Sequence, residues 1–263
     1  METRHRLSSR MLQWLKRSVT QAESLLSSRQ SSCIACGALY SGARELALCD
    51  GCAAAVPWIL QVQCSRCGRP EVCTDCSRRM DTYFVQNRSA VSYSPLMKEW
   101  LAMYKYRGHE KLRELLGRML LHAYHLHKTA AFPGSPSKGA RELITYVPLS
   151  GERRLERGFN QAQQLAEDLG GSLSIPVIPL LVRVRHTAKQ SFKTRGDRLD
   201  DLQGVFALLP ESQKALQDLL HFSDITLYIV DDVYTTGSTL NECARTVKAE
   251  LPNVAVYGIG WAR

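Results

Sequence analysis

Long apolar runs are missing from this sequence. No stretch approaches the roughly 18 residues of a membrane-crossing helix, so no membrane span is expected. An export signal is missing as well. Residues 1–19, METRHRLSSRMLQWLKRSV, are basic, but Arg10, Gln13, Lys16 and Arg17 interrupt the unbroken apolar stretch that a secretory leader needs. The expectation is a cytoplasmic chain. The same segment places Leu7, Met11, Trp14, Leu15 and Val19 at helical spacing, and it reads either as a short amphipathic helix or as a frayed basic leader. The Gly-x4-Gly-Lys pattern of a Walker loop does not occur, which argues against nucleotide binding of that kind. Acidic residues are also in short supply: 25 Asp and Glu stand against 34 Lys and Arg, a formal charge of +9 that favours polyanionic partners. Residues 33–80 are poor in large apolar side chains and cannot build a core without a staple.

The staple is cysteine. Apolar residues make up 44% of the 263-residue chain and charged residues 22%, a soluble globular balance with room for a small module and a medium domain. Eight of the nine cysteines lie between positions 33 and 76, in the pairs Cys33/Cys36, Cys49/Cys52, Cys64/Cys67 and Cys73/Cys76. Two intervening residues let a tight knuckle aim both thiolates at one ion, and two knuckles complete a tetrahedral four-cysteine site. Gly37 and Gly68 each follow a pair, where a knuckle needs a positive φ. Twelve residues separate the first two pairs and five the last two, so the first four cysteines are assigned to one structural Zn2+ and the last four to another. An interleaved pairing satisfies the same spacing rule. Cys243, on a late helical stretch, reads as a buried small residue.

Beyond residue 80 the pattern changes. An alternating strand-like stretch (Tyr83, Val85, then Ala90 to Tyr93) is followed by helical patterns in EWLAMYKY and KLRELLGRMLLHAYHLH. After a loop, FPGSPSKG, strands and helices alternate: ELITYVPL extended, FNQAQQLAEDL helical up to Gly170 and Gly171, IPVIPLLVRV extended, GVFAL and ITLYIVDDV as strands, STLNECARTVKAEL a helix, and VAVYGIGWA a last strand. Strands separated by helices imply an α/β fold with a parallel sheet and helices on its faces.

The most informative stretch runs from Tyr228 to Thr239, YIVDDVYTTGST. An apolar strand delivers two adjacent carboxylates, then a hydroxyl- and Gly-rich turn opens a helix. The turn and the helix start offer N–H groups and hydroxyls to a phosphate. The carboxylates can accept hydrogen bonds from paired sugar hydroxyls and balance a divalent cation. A phosphorylated ribose fits both halves.

This stretch resembles the phosphoribosyl pyrophosphate motif of type I phosphoribosyltransferases. Val147-Pro148-Leu149-Ser150 leading to Arg157-Gly158-Phe159-Asn160-Gln161-Ala162, Arg183-Val184-Arg185 leading to Thr187 and Gln190, Tyr104-Lys105-Tyr106-Arg107-Gly108 and the Cys-rich module narrow the resemblance to the ComF family of competence-associated proteins, over residues 33–263. Residues 1–32, polar and Ser-rich, read as a flexible basic leader outside the resemblance, which implies a double zinc-ribbon module at 33–80 and a phosphoribosyltransferase-like domain at 81–263. It implies that Asp231 and Asp232 hold the ribose hydroxyls and that Thr235, Thr236, Gly237, Ser238 and Thr239 cradle the 5′-phosphate. Mg2+ would bridge pyrophosphate and ribose, largely through water. Arg153, Arg154 and Arg157 are the cationic candidates for the pyrophosphate, and Lys189 to Arg198 for a covering loop; the same basic residues also read as a solvated face. Three functions follow from the resemblance: transfer of the pentosyl group to a nitrogen acceptor with release of pyrophosphate, a DNA-uptake role in which phosphoribosyl pyrophosphate is a ligand, or a metabolite-sensing adaptor for single-stranded DNA or a protein partner. Tyr83, Phe84, Tyr104 and Tyr106 lie near basic residues and suit either base stacking or core packing.

Overall fold

The computed structural model describes residues 30–77, 81–107, 110–129, 134–137, 139–185, 203–221 and 223–263. The leader up to residue 29 and the Lys189–Arg198 segment, with Thr187, lie outside the described residues. The chain divides into two compact units, Met1–Ala54 and Ala55–Arg263.

In the first unit, β1 (Gln30–Ser32) pairs antiparallel with β2 (Leu39–Ser41), with Ser31 opposite Tyr40. The knuckle between them closes where the Gly37 N–H donates to the Cys33 carbonyl at 2.8 Å, with Gly37 at φ +75°. A short helix, α1 (Asp50–Ala54), carries the second knuckle, and Arg44 grips Asp50 with both guanidinium nitrogens at its start.

The second unit is built on a four-stranded parallel sheet. Its strands are β3 (Gln86–Val91), β4 (Arg141–Tyr146), β7 (Ile225–Val233) and β8 (Ala255–Ala262), in the order β3-β8-β7-β4. The alternation of side chains along β7 assigns its two faces. Tyr228 meets Tyr124 and His127 of helix α3 (Glu110–Lys128), which packs over β3 and β8 beside α5 (Gln161–Leu173) over β4 and β7. Leu227 and Ile229 join Leu240, Cys243 and Val247 of α7 (Ser238–Glu250) in the opposite core. Helix α2 (Pro95–Arg107) precedes α3, and α4 (Gly151–Arg157) leads into α5.

Several elements differ from the sequence reading. IPVIPLLVRV adds only an isolated parallel bridge, Val177 opposite Ile144 of β4, and GVFAL lies outside the parallel sheet; β5 (Leu181–Arg183) and β6 (Phe206–Leu208) form an antiparallel ribbon of their own. Helix α5 runs through Gly170 and Gly171 to a left-handed cap at Ser174, because Gly170 is buried in its packed face. Helix α6 (Pro210–Leu220), started by its proline, falls in a stretch without an assigned element in the sequence reading. β3 is wholly buried although it carries Gln86, Asn87, Arg88 and Ser89. Arg88 donates to the carbonyls of Ser65 and Asn87, both at 2.8 Å, and Asn87 Nδ2 donates to the Cys67 carbonyl at 3.3 Å. The second cysteine quartet is therefore packed into the larger unit, whereas the sequence reading groups both quartets within 33–80. No described helix is long and apolar enough to cross a membrane.

Candidate ligand site and metal centres

The eight paired cysteines assemble as two quartets, Cys33/Cys36/Cys49/Cys52 and Cys64/Cys67/Cys73/Cys76, with the sulfurs of each quartet all within 4.8 Å of one another. Four thiolates at about 2.3 Å from one zinc ion stand about 3.8 Å apart in a tetrahedron. Cys36 and Cys49 Sγ are 3.7 Å apart, and Cys67 and Cys73 Sγ 3.6 Å. Each quartet thus fits a closed, structural zinc site, with sequential rather than interleaved pairing. At Cys33 the knuckle favours thiolate, while burial and the neighbouring sulfurs push Cys52 up. Burial pushes Cys33 up, but backbone N–H groups of Cys49, Cys36 and Ala35 outweigh it and bring the thiol down to about 6. Gly68 repeats the turn of Gly37, its N–H donating to the Cys64 carbonyl at 2.9 Å with φ +74°. Cys243 is fully buried in the α7 core.

The other site lies at the C-terminal end of β7, where open α/β sheets present ligands. Asp231 Oδ1 accepts the Asp232 N–H at 2.9 Å. Burial, reinforced by the charge of Asp232, pushes Asp231 up to about 8. Burial pushes Asp232 the same way, but Lys105 of α2 forms an ion pair with it and, with help from Arg157, holds it below the ordinary carboxylate value. The strand then turns through Tyr234, Thr235 and Thr236 to Gly237, whose left-handed backbone (φ +75°) starts α7. Thr236 and Ser238 hydroxyls are 2.8 Å apart across the turn. The Tyr234 ring packs on this turn so closely that a Cβ at position 237 would lie 2.1 Å from its hydroxyl oxygen. Only glycine fits there.

Opposite the acidic pair, α4 begins at the end of β4 with Ser150 as its cap and ends at Gly158 in the left-handed conformation. Asn160 caps α5 by accepting the Ala162 N–H at 3.0 Å, and its Nδ2 donates to the Val147 carbonyl at 3.1 Å, tying α5 to the end of β4. Arg157 donates to Gln161 Oε1 at 2.8 Å and to the Tyr106 hydroxyl at 3.2 Å, and its guanidinium lies 5.3 Å from the Tyr106 ring centre.

Among curated proteins, Competence protein ComFC of Bacillus subtilis is 33% identical over 208 residues, covering 75% of this chain and 76% of that protein. The chain belongs to the ComF family. Competence protein F of Haemophilus influenzae is 36% identical over 46% of this chain and 51% of its own length. The DNA utilization protein YhgH of Salmonella typhimurium is 28% identical, covering 75% of this chain and 82% of that protein. No family model matches. Among solved structures, glutamine phosphoribosylpyrophosphate amidotransferase from B. subtilis aligns with a TM-score of 0.24 and 11% identity, over 69% of this chain and 42% of that one, too distant to bear on fold or function.

In this ComF-family chain the predicted site residues are distributed as follows. Asp231, Asp232 and the turn Thr235–Thr239 form one continuous strand–turn–helix. Arg157 joins them through Asp232. Arg153 stands instead beside Arg183, whose guanidinium is lowered by burial and by that neighbour, while Arg154 is exposed. Lys105 is the residue that sequence reasoning missed as part of the site. Its signal was a lysine continuing the buried Met97–Leu101 row of α2, four residues on, where an apolar side chain would be expected.

Proposed function

We propose that the larger unit binds phosphoribosyl pyrophosphate with Mg2+ at the C-terminal edge of its sheet, and that this site serves DNA uptake or use in the cytoplasm. The observation that carries the reading is the end of β7, where two carboxylates run straight into a glycine turn at a helix start. Asp231 and Asp232 match the two neighbouring hydroxyls of a ribose. The helix start, with the hydroxyls of Thr235, Thr236, Ser238 and Thr239, matches a 5′-phosphate. The carboxylate pair supplies hard oxygen donors of the kind Mg2+ takes, and the ion would neutralise charge on the pyrophosphate. Arg157, Arg153 and Arg154, on one short helix, are the cations for the pyrophosphate side. Lys105 keeps Asp232 ionised until the sugar hydroxyls replace it. Each cysteine quartet holds one structural zinc.

The DNA half of the reading rests on relatives named as competence and DNA utilization proteins. It is supported by the basic excess of the chain and by the exposed Tyr106 ring beside Arg157. Single-stranded DNA is the form that offers bases to such a ring, and a further protein of DNA uptake completes the proposed partners.

Phosphoribosyl pyrophosphate with Mg2+ should raise the thermal midpoint, since only the folded chain presents the site. Asp231→Ala combined with Asp232→Ala should remove that shift while the chain stays folded. An unchanged shift would place the ribose elsewhere. Following pyrophosphate release in the presence of bases, nucleotides or single strands separates transfer to a nitrogen acceptor from binding alone.

A further inference from the structure

We propose that the second cysteine quartet governs the phosphate turn through Arg263 and Tyr234, so that metal loading at Cys64, Cys67, Cys73 and Cys76 sets the affinity of the ligand site. The affinity part rests on the reading of the turn as a phosphate cradle; the mechanical part does not.

Three contacts join the two places. The Cys67 carbonyl, inside the knuckle, accepts a hydrogen bond from Arg263 Nη1. The Arg263 guanidinium lies over the Tyr234 ring, 5.1 Å from its centre. Tyr234 in turn presses on Gly237, leaving no space for a Cβ. Each member is held independently. The main chain of Arg263 is clamped by Arg263 N–H to the Val91 carbonyl at 3.0 Å and Tyr93 N–H to the Arg263 carbonyl at 2.7 Å. The Tyr234 N–H donates to the Ala262 carbonyl at 2.8 Å, and Phe84 meets the Tyr234 ring edge-on, 6.5 Å between centres. Cys67, Phe84, Tyr234 and Leu240 of α7 belong to one buried core.

The direction of control follows from the chemistry of the quartet. The four sulfurs lie within 4.8 Å of one another, and a zinc ion would supply the bonds that hold them there. Without the ion the knuckle opens, the Cys67 carbonyl leaves Arg263, and the guanidinium loses the acceptor that keeps it over the Tyr234 ring. The ring then loses one of the contacts that hold it over Gly237, and the turn that must keep a left-handed geometry is covered less firmly. Arg263 and Tyr234 are positioning residues: they touch the turn or its support, not the ligand.

The test uses the full chain with both metals bound. Arg263→Met should keep two metals by elemental analysis, speed amide exchange at residues 234–239, and weaken calorimetric binding of phosphoribosyl pyrophosphate with Mg2+ by about tenfold. Arg263→Lys, which retains a cation over the ring, should recover part of both effects. Cys73→Ser with Cys76→Ser should lose one metal and reproduce the Arg263→Met behaviour. Cys33→Ser with Cys36→Ser should lose one metal and change neither exchange nor binding. Unchanged exchange at the turn in Arg263→Met overturns the proposal, and that variant decides the matter if the second-quartet variant does not fold. Altered exchange in a protein that binds no ligand even as wild type would instead leave the mechanical link standing and remove the phosphate reading.

Discussion

Asp231 and Asp232 are adjacent in sequence and titrate in opposite directions. Asp232 is lowered because its ion pair with Lys105 offsets its burial; at Asp231 the charge of Lys105 is outweighed, and burial and the ionised neighbour push it up to about 8. In the unfolded chain Asp231 ionises near 3.8. Between these values the folded state holds a proton that the unfolded state has released, so stability falls as pH rises from about 4 to 8. Asp231→Asn abolishes this dependence, and the amide oxygen can still accept the Asp232 N–H. The variant should be about 2 kcal/mol more stable than wild type at pH 8, close to wild type at pH 4.5, and should show a reduced thermal shift with phosphoribosyl pyrophosphate. Denaturant unfolding at the two pH values checks this; equal effects at both would show that the carboxyl is not held protonated. At this scale the acid pair and the turn were legible, because they sit in one continuous motif whose residue types dictate the geometry. Lys105 was not, because helical spacing only marks it as a lysine on a buried row, and its partner Asp232 comes from a contact between α2 and β7.

The elements of the parallel sheet were legible where the pattern was apolar: β7 and β8 follow ITLYIVDDV and VAVYGIGWA, and α7 follows its helical period. β3 was harder to read. Its Gln86-Asn87-Arg88-Ser89 run lacks alternation because Gln86, Asn87 and Arg88 bind His127 and the Cys64–Cys67 knuckle rather than water or apolar core. That same knuckle gives a sharp comparison between two glycines of equal φ. Gly37 has open space around a would-be Cβ, whereas at Gly68 that carbon would lie 2.6 Å from the Asn87 carbonyl oxygen, a main-chain atom of β3. Gly37→Ala should cost only the left-handed strain, about 1 kcal/mol, confined to its own hairpin. Gly68→Ala must also displace β3, and it should lower the melting midpoint of the larger unit by several degrees. Tryptophan fluorescence reads that unit, since Trp100 and Trp261 are buried in it. Equal midpoints for the two variants would mean that the Cys64–Cys67 knuckle is not part of that core.

For the molecule as a whole, the basic excess of +9 sets an expectation that no single element carries. Of the four aromatics considered for base stacking, Phe84 and Tyr104 are buried at 4% and 2% exposure, which commits them to packing, while Tyr83 and Tyr106 remain exposed at 37% and 64%. Tyr106 is the better platform, because Arg157 lies against its ring and reaches Asp232 electrostatically. Single strands should therefore bind in preference to duplex, whose bases cannot open onto a ring. Affinity should fall with salt, the logarithmic slope being about −0.7 for each phosphate neutralised. Arg154→Ala should flatten that slope by about one such step, whereas Tyr106→Ala should weaken binding about tenfold at every salt concentration and leave the slope unchanged. Because Arg157 touches both the ring and the acidic pair's field, phosphoribosyl pyrophosphate should compete with the strand. Titration of a labelled oligothymidine at several salt concentrations, with and without the metabolite, separates these effects. Additive binding would place the DNA away from Tyr106, and no binding by the zinc-loaded chain at low salt would remove direct DNA contact and leave the metabolite site as the basis of function.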